Sequence, residues 1–338
     1  MDTNMIRIWS EHLPLQDAAQ PDVVGLLRRH GVHPIFAAPH DVDDAALGRV
    51  VRAYRDAGLE PGVWPLLSDA QGYWPSEDNA QVYFQRVEQL LSALEQQGAT
   101  PAWLAVDLEP PLTQIDVLRH APTPLHTKMA RMLRQNLDAA RFARSVQAFE
   151  AGVGQVRARG VRTLSVTLPL AAHDLRDGVP LWQDVFQTPW AGVSWDAAGI
   201  MAYGSMVSGY SRGLLSHDDA RAMHYRLMRH VARAFGARAH ASLGVTGVGK
   251  LGDEPVYTDP AQLGLDASAA RAAGIEDLGI FCLEGVLAQP APEAWLEAVA
   301  HAVARAPAQS FKTRCARLMG WGLRKAALGF VSSSYDRR

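Results

Sequence analysis

The sequence predicts a (β/α)8 TIM barrel in a single domain, and two observations indicate it. Short β-like runs alternate with helical stretches along the chain, which is typical of parallel βαβ units. About eight such units fit into the 338 residues, and that number favours a closed barrel over an open sheet. A hydrophobic fraction of 48% is sufficient for the large core of such a barrel.

Glycines mark the boundaries between the repeating units. Each of these glycines follows an Ala-, Leu- and Arg-rich helical stretch and precedes a β-like run, and Gly is preferred just past a helix C-terminus. They are Gly31, Gly58, Gly98, Gly160, Gly236 and Gly274. The predicted strands cover residues 6–10, 32–37, 59–67, 102–109, 161–168, 198–203, 239–245 and 278–283.

The helical stretches carry their own signals. Residues 45–57 and 79–97 place apolar side chains at the spacing of one helix face. Ser216 and Asp219 resemble a capping box at the start of a helix. Pro292 suits the first position of a helix that is predicted to end near residue 304. These signals place helices between the predicted strands.

One connection is unusually long. After the fourth strand, residues 112–127 contain Pro122 and Pro124 and predict an irregular excursion. A mostly helical stretch is predicted to follow over 128–159. Long connections of this kind in barrels usually shape the functional site.

The barrel is predicted to span residues 1–306, and residues 307–338 form a basic, amphipathic C-terminal extension. Two interpretations of the extension remain open. It forms a final helix packed on the outside of the barrel, or its residues 310–338 make a weak contact with a membrane surface or a partner. The basic and apolar residues that alternate there are Lys312, Arg314, Arg317, Arg324 and Lys325, with Leu318, Met319, Trp321, Leu323, Leu328 and Phe330.

Composition excludes several classes of function. A net charge of -2 with 20% charged residues does not suit a nucleic-acid-binding protein. Cys282 and Cys315 are too few for a disulfide framework, and the sequence shows no cluster of metal ligands, so neither a metal nor another cofactor is predicted. Residues 1–10 show no signal peptide, and no segment reaches the ~18 apolar residues of a membrane span. The default expectation is a cytoplasmic protein, unless a leader was removed.

The fourth strand carries the chemistry. It ends in Asp107-Leu108-Glu109, and because side chains alternate along a strand, the two carboxylates point the same way. Acids on a buried strand are costly unless they lie at a polar site. A structural ion pair is the alternative interpretation. In barrel enzymes the chemistry lies at the C-terminal strand ends, and this favours a functional site.

Other strand ends supply further candidates. Aromatic faces together with carboxylates suit a sugar, because the ring stacks and its hydroxyl groups bind the acids. Glu11, Asp41, Asp69 and Asp174 are interpreted mostly as helix caps or solvated acids. The remaining candidates are Trp9, His12, His40, Trp64, His173, Tyr203, Ser205, Thr246 and Glu284, with Tyr73 and Trp74 in the loop after the third strand.

A glycine-rich turn follows the seventh strand. Gly247, Gly249 and Lys250 lie in it, and such turns bind phosphate in many barrels. The spacing differs from the P-loop pattern, because Lys250 is followed by Leu251. The turn is a weak indication of a phosphosugar ligand.

Two short motifs resemble the family 18 glycoside hydrolases, the chitinase-like TIM barrels. They are Asp107-Leu108-Glu109 at the end of strand four and Met201-Ala202-Tyr203 at the end of strand six. The resemblance implies that Glu109 is the general acid and that Asp107 orients the N-acetyl group of the substrate, which acts as the nucleophile. It also implies that Tyr203 holds that group.

The sequence departs from the family pattern at several positions. The two earlier acids of the signature fall at Ala102 and Ala105, Gly204 replaces the Asp that follows the Tyr, and Phe281 stands near the place of the strand-eight Trp. The family's strand-three glycine motif is also missing.

Three functions therefore stay open. The first is a glycosidase acting on a polysaccharide or oligosaccharide, in which Glu284 supplies a second carboxylate if the sugar lacks an N-acetyl group. The second is a catalytically silent carbohydrate-binding barrel, and the third is a phosphosugar lyase or isomerase. The predicted catalytic residues are Glu109, Asp107, Tyr203 and Glu284, and the predicted substrate contacts are Trp9, Trp64, Asp69, Trp74 and Met201.

Overall fold

The computed structural model describes residues 5–120 and 123–335. Within these residues, eight parallel strands close into a barrel in sequential order, each paired with its neighbours and β8 paired with β1. The predicted TIM barrel is therefore confirmed. The strands are β1 (Ile6–Ser10), β2 (Val32–Ala38), β3 (Gly62–Pro65), β4 (Trp103–Leu108), β5 (Arg162–Thr167), β6 (Ala197–Ala202), β7 (Ala239–Gly244) and β8 (Asp277–Phe281).

Helices connect the strands and surround the barrel. They are α1 (Leu15–Ala18), α2 (Pro21–Arg29), α3 (Asp44–Asp56), α4 (Ala80–Gln96), α5 (Leu112–His120), α6 (Leu125–Asn136), α7 (Ala139–Ala158), α8 (Leu181–Phe186), α9 (Gly204–Tyr210), α10 (His217–Phe235), α11 (Pro260–Ala272), α12 (Leu283–Leu287), α13 (Pro292–Ala300) and α14 (Phe311–Tyr335). Short 3-10 helices lie at Asp69–Gln71, Pro169–Arg176 and Gly236–Arg238.

The predicted helix signals act where the sequence places them. The Ser216 hydroxyl accepts a hydrogen bond from the Asp219 N–H at 3.1 Å, and the Asp219 carboxylate accepts one from the Ser216 N–H at 3.1 Å. This capping box starts α10. Gly98 and Gly160 adopt φ angles of 64° and 76° just after α4 and α7, a left-handed conformation that favours glycine.

The predicted irregular excursion over 112–127 is wrong. Helix α5 and the start of α6 occupy most of it, and Pro124 lies directly before the first residue of α6. A proline at a helix start costs no hydrogen bond, because the first N–H groups of a helix have no partner in the helix. Pro122 lies outside the described residues.

Side chains alternate between two apolar layers along β4. Leu104, Val106 and Leu108 belong to the core between the barrel and its helices, whereas Trp103 and Ala105 belong to the core inside the barrel. Because strand residues alternate faces, Asp107 and Glu109 share the inward face with Trp103 and Ala105. The strand thus directs both acids to the C-terminal mouth of the barrel.

The C-terminal helix α14 packs on the barrel. The Arg324 guanidinium forms ion pairs with Asp174 at 2.6 Å and Asp177 at 2.5 Å, and Ala327 joins an apolar cluster with Leu181 and Trp182 of α8. No helix among the described residues is long and apolar enough to cross a membrane. A weak contact of residues 310–338 with a membrane surface or a partner stays a prediction.

Candidate active site

A cavity of about 300 Å³ lies at the C-terminal ends of the strands, where barrel enzymes place their chemistry. It brings together six of the predicted site residues: Asp107, Glu109, Tyr203, Trp64, Trp74 and Met201. The other residues that line it are Glu11, Leu168, Pro169, Met206, Val207, Tyr210, His224, Val245, Gly249, Lys250, Leu251, Glu254 and Phe281.

Asp107 is almost fully buried, with 5% of its surface exposed. Burial raises the pKa of its carboxyl well above the ordinary value, and the nearby Glu109 and Glu11 raise it further, while a hydrogen bond with the Trp74 indole lowers it. Its Oδ1 atom has no hydrogen-bond partner among the described residues. Asp107 is therefore a buried acid with an oxygen free to meet a ligand.

Glu109 follows β4 directly and lines the same cavity. Burial raises the pKa of its carboxyl to about 8, and the Coulombic effects of Glu11 and Glu254 act in the same direction. A carboxylic acid with such a pKa carries its proton at neutral pH, as a general acid must. The predicted acid thus lies where its protonation state suits the predicted role.

Glu11 is a carboxylate of the cavity that the sequence analysis assigned to capping or solvent. Only 3% of its side chain is exposed, and the Tyr73 hydroxyl donates a 2.9 Å hydrogen bond to its Oε1. Burial raises the pKa of Glu11, although His12 lowers it. Its position directly after β1 was the signal that could have identified it.

Tyr203 directly follows β6 and lines the same cavity as the acids. Its ring contacts Phe281, with the ring centroids 5.7 Å apart, so an aromatic residue does line the cavity at the end of β8. Burial raises the pKa of the Tyr203 hydroxyl well above its usual value, and the charges of Asp107 and Glu109 raise it further. The phenol therefore stays protonated and can donate a hydrogen bond.

The loop after β7, residues 246–259, crosses the mouth of the barrel and is called the β7 loop below. Strands β3 and β7 lie on opposite sides of the eight-stranded barrel, yet Lys250 pairs with Asp69 of the segment after β3 at 2.8 Å. Arg119 of α5 pairs with Asp253 at 2.5 Å. These contacts hold the β7 loop over the cavity.

The β7 loop also supplies a carboxylate that the sequence analysis missed. Glu254 is 8% exposed, and its Oε1 accepts a hydrogen bond from the Leu251 N–H at 3.0 Å. Its Oε2 has no hydrogen-bond partner within the described residues. No local pattern marks Glu254, because it lies ten residues past the end of β7 and reaches the cavity only through the path of the loop.

The glycines of this loop have packing roles. A Cβ atom at Gly247 would lie 2.8 Å from the Gly285 Cα and 2.9 Å from the Cys282 Sγ, and one at Gly249 would lie 2.7 Å from a Glu11 oxygen. Such approaches leave no room for a side chain. The glycine-rich turn is thus explained without a phosphate, although a phosphate site there stays a prediction.

Three predicted site residues lie outside the cavity lining. Glu284, at the start of α12, accepts hydrogen bonds from the backbone N–H groups of Glu11 at 3.0 Å and His12 at 2.9 Å. Trp9 is buried in the barrel and meets Trp64 edge to face at 5.3 Å. Asp69 is largely exposed and pairs with Lys250. Glu284 therefore supports the segment that carries Glu11.

Among the described residues, no group of three or more His, Cys, Asp or Glu side chains is placed to hold a metal ion. His224 lines the cavity from α10, and burial lowers its pKa to about 4. This histidine is neutral at physiological pH.

Comparison with protein-family models and with curated protein sequences gives no match. Comparison with solved structures gives an endo-beta-mannanase/endo-beta-glucanase from Prevotella bryantii, with 10% identity over 90% of this chain and 49% of that chain and a TM-score of 0.53. A glycoside hydrolase domain of PgaB (BpsB) from Bordetella bronchiseptica has 15% sequence identity, and the match covers 88% of this chain and 98% of that chain with a TM-score of 0.48. A D-psicose 3-epimerase from Clostridium cellulolyticum H10 has 12% sequence identity, and the match covers 88% of this chain and 96% of that chain with a TM-score of 0.43.

The Prevotella enzyme establishes the fold. This chain is a TIM barrel. At 10% identity, the likeness concerns the fold that a glycoside hydrolase uses and not family 18 in particular. The reaction must be argued from the residues of the cavity, because one barrel supports many chemistries.

Proposed function

We propose that this protein is a carbohydrate-acting enzyme that cleaves glycosidic bonds, with Glu109 as the general acid. One observation carries the proposal. Glu109 lies at the end of β4, inside the cavity, with a pKa raised to about 8. At pH 7 roughly nine in ten such carboxyl groups are protonated, so the proton is available for the leaving-group oxygen.

The neighbours of Glu109 can stabilise the transition state. Glycosidase transition states resemble an oxocarbenium ion, and a carboxyl group that can ionise beside it stabilises the developing positive charge. Asp107 shares the cavity, and burial raises the pKa of its carboxyl, which Glu109 raises further. The protonated Tyr203 phenol is a hydrogen-bond donor at the same place. These properties of Asp107 and Tyr203 support the roles that the family 18 resemblance implies for the two residues.

A second carboxylate is available for sugars without an N-acetyl group, and we assign this role to Glu11 instead of Glu284. Glu11 lines the cavity, and the Tyr73 hydroxyl fixes its orientation. Glu284 uses Oε1 to accept two backbone N–H groups. The role of a nucleophile or base requires access to the sugar, which Glu11 has in this structure.

The walls of the cavity suit a sugar. Trp64 and Trp74 present large aromatic surfaces, and the indole N–H group of Trp64 is buried without a hydrogen-bond partner among the described residues. Buried indole N–H groups usually find a partner. Hydroxyl or ring oxygens of a carbohydrate are acceptors that can satisfy the Trp64 indole.

The test is hydrolysis of a panel of oligosaccharides, followed as the release of reducing ends. We expect turnover by the wild-type protein and a loss of at least about 100-fold in Glu109→Gln, because general acid catalysis contributes that much or more. Glu88→Gln on the exposed face of α4 is the matched control and should keep full activity. Binding of oligosaccharides without release of reducing ends would show a silent carbohydrate-binding barrel instead.

A further inference from the structure

The inside of the barrel is polar beneath Tyr203. Barrel interiors are usually filled by bulky branched side chains, but β7 directs His240 and Ser242 inward, and β8 does the same with Asp277 and Gly279. The residues that alternate with them along these strands belong to the core outside the barrel. Ser242 is fully buried. A buried hydroxyl is costly without a hydrogen-bond partner, so a serine at this place needs one.

The partner of Ser242 is the Tyr203 phenol. Ser242 lies beside Met201 in the register between β6 and β7, and Tyr203 follows Met201 by two residues, which places it on the same inward face. Burial raises the pKa of the Tyr203 hydroxyl, whereas a hydrogen bond with Ser242 lowers it. A hydrogen bond acts in this direction when it stabilises the phenolate, that is, when the serine donates to the phenol oxygen.

The polar groups on the other side of Ser242 do not require its proton. A Cβ atom at Gly279 would lie 2.9 Å from Ser242 Oγ, 3.0 Å from His240 Nε2 and 3.0 Å from Trp9 Nε1, so these atoms converge over a residue without a side chain. The Asp277 carboxylate accepts a hydrogen bond from His240 Nδ1 at 2.9 Å, which makes Nε2 of the neutral ring an acceptor. An indole N–H can only donate, so Trp9 complements His240.

We propose that Ser242 is a positioning residue for Tyr203, because its hydroxyl donates to the phenol oxygen and leaves the phenol proton for the substrate. This inference rests on the proposed function and adds a residue to its site. A phenol has one proton to donate and lone pairs that accept. With Ser242 on a lone pair, the proton is directed away from the serine, into the cavity that Tyr203 lines. The opposite direction would place the phenol proton on the serine oxygen and leave none for the substrate.

The hydrogen bond is tested first, without any assay of activity. Carbon-13 NMR of tyrosines labelled at Cζ reports the surroundings of each phenol oxygen, and Tyr203→Phe assigns the Tyr203 signal. We expect this signal to move in Ser242→Ala, while unchanged signals of the other tyrosines show that the variant is folded. A Tyr203 signal that keeps its position in Ser242→Ala would overturn the hydrogen bond.

Ser165→Ala is the matched control. Ser165 is also a fully buried strand serine, but its hydroxyl accepts the Trp190 indole N–H at 3.1 Å, and Trp190 belongs to the core outside the barrel. The control loses a buried hydrogen bond of the same kind without touching the cavity. The Tyr203 signal should therefore keep its position in Ser165→Ala.

The direction of the hydrogen bond is tested by steady-state kinetics on the oligosaccharide that the wild type cleaves. In Ser242→Ala the phenol loses the group that orients it, and we expect kcat to fall about fivefold to tenfold with KM unchanged within about twofold. In the Tyr203→Phe background the same substitution should change kcat by less than about twofold, because Ser242 acts through the phenol. Ser165→Ala should keep the kcat of the wild type.

The outcomes separate this inference from the proposed function. An unchanged or raised kcat in Ser242→Ala, together with a moved Tyr203 signal, would show that the phenol donates to the serine and would overturn the inference. An equal loss of kcat in the Tyr203→Phe background would overturn it too, because Ser242 would then act through the structure of the barrel. If the wild type cleaves no oligosaccharide, the proposed function fails and the catalytic use of the phenol fails with it, whereas the NMR result still decides the hydrogen bond.

Discussion

Lys250 and Asp69 come from opposite sides of the barrel and meet at 2.8 Å. The Lys250 ammonium also lies 4.2 Å from the centre of the Tyr73 ring, and the Tyr73 hydroxyl donates a hydrogen bond to Glu11. The segment after β3 and the β7 loop are therefore linked across the cavity, at the residues that orient one of its acids.

Lys250→Met should change substrate kinetics more than stability. Exposed ion pairs contribute about 1 kcal/mol or less, and 64% of the Asp69 side chain is exposed. The free energy of unfolding measured in urea should therefore fall by no more than about 1 kcal/mol. Without the link, we expect faster substrate release and a higher KM. Asp69→Asn should give the same result, and the double variant should add nothing. A loss of several kcal/mol in either single variant would contradict this role.

Glu109 should make the protein less stable at alkaline pH. Its pKa rises from 4.5 to about 8 on folding, so between these values the folded protein holds a proton that the unfolded chain does not. The free energy of unfolding therefore falls as the pH rises through this window. Glu109→Gln removes this effect and should be more stable than the wild type by a few kcal/mol near pH 9. Near pH 4 the two should be similar.

Denaturant unfolding of both proteins at several pH values measures the effect. The difference between them isolates Glu109 from other buried acids such as Glu77, whose pKa is also raised to about 8 by burial. A difference that does not change with pH would show that the Glu109 carboxyl has an ordinary pKa.

Glu11 and Glu284 should differ sharply as catalytic variants. Glu11→Gln removes a carboxylate from the cavity, and we expect kcat to fall by about 100-fold or more on sugars that lack an N-acetyl group. Glu284→Gln keeps an oxygen that can accept the N–H groups of Glu11 and His12, so its kcat should stay within about tenfold. Steady-state kinetics decide between them, and the reverse order would return the second carboxylate to Glu284.

Arg324 should hold α14 on the barrel. It pairs with Asp174, whose side chain is 1% exposed, and loss of one partner of a buried pair costs about 3–5 kcal/mol unless the structure rearranges. In Arg324→Met we expect α14 to detach, which hydrogen exchange over 311–335 would detect as lost protection. Arg314→Met, at an exposed position of the same helix, is the control. Full protection in Arg324→Met would show that apolar packing alone holds the helix.

The barrel and the β4 acids were predictable because their signals are local. Glycines after helices mark each unit, and alternation along β4 places Asp107 and Glu109 on one face. The same logic identified Tyr203 and Trp64. Helix α5 and the first turn of α6 were missed because Pro124 was interpreted as a breaker, although it stands directly before a helix, whereas the rest of α6 lies in the stretch 128–159 that was predicted to be mostly helical.

The errors concerning Glu254 and Glu284 have a different cause. Glu254 reaches the cavity because the β7 loop crosses the barrel, and Arg119 and Lys250 fix that path by pairing with acids far away in sequence. Glu284 looked equivalent to a site residue at its strand end, yet the Glu11 and His12 N–H groups take up one of its carboxylate oxygens. Such choices depend on tertiary contacts, which no local pattern contains.

Titration of the Glu109 carboxyl tests the central claim most directly. Carbon-13 NMR of labelled glutamate side chains, with Glu109→Gln to assign the resonance, gives its midpoint in the folded protein. The account predicts a midpoint near pH 8. A midpoint near the ordinary 4.5 would mean that Glu109 is ionised at neutral pH and has no proton to give to a glycosidic oxygen.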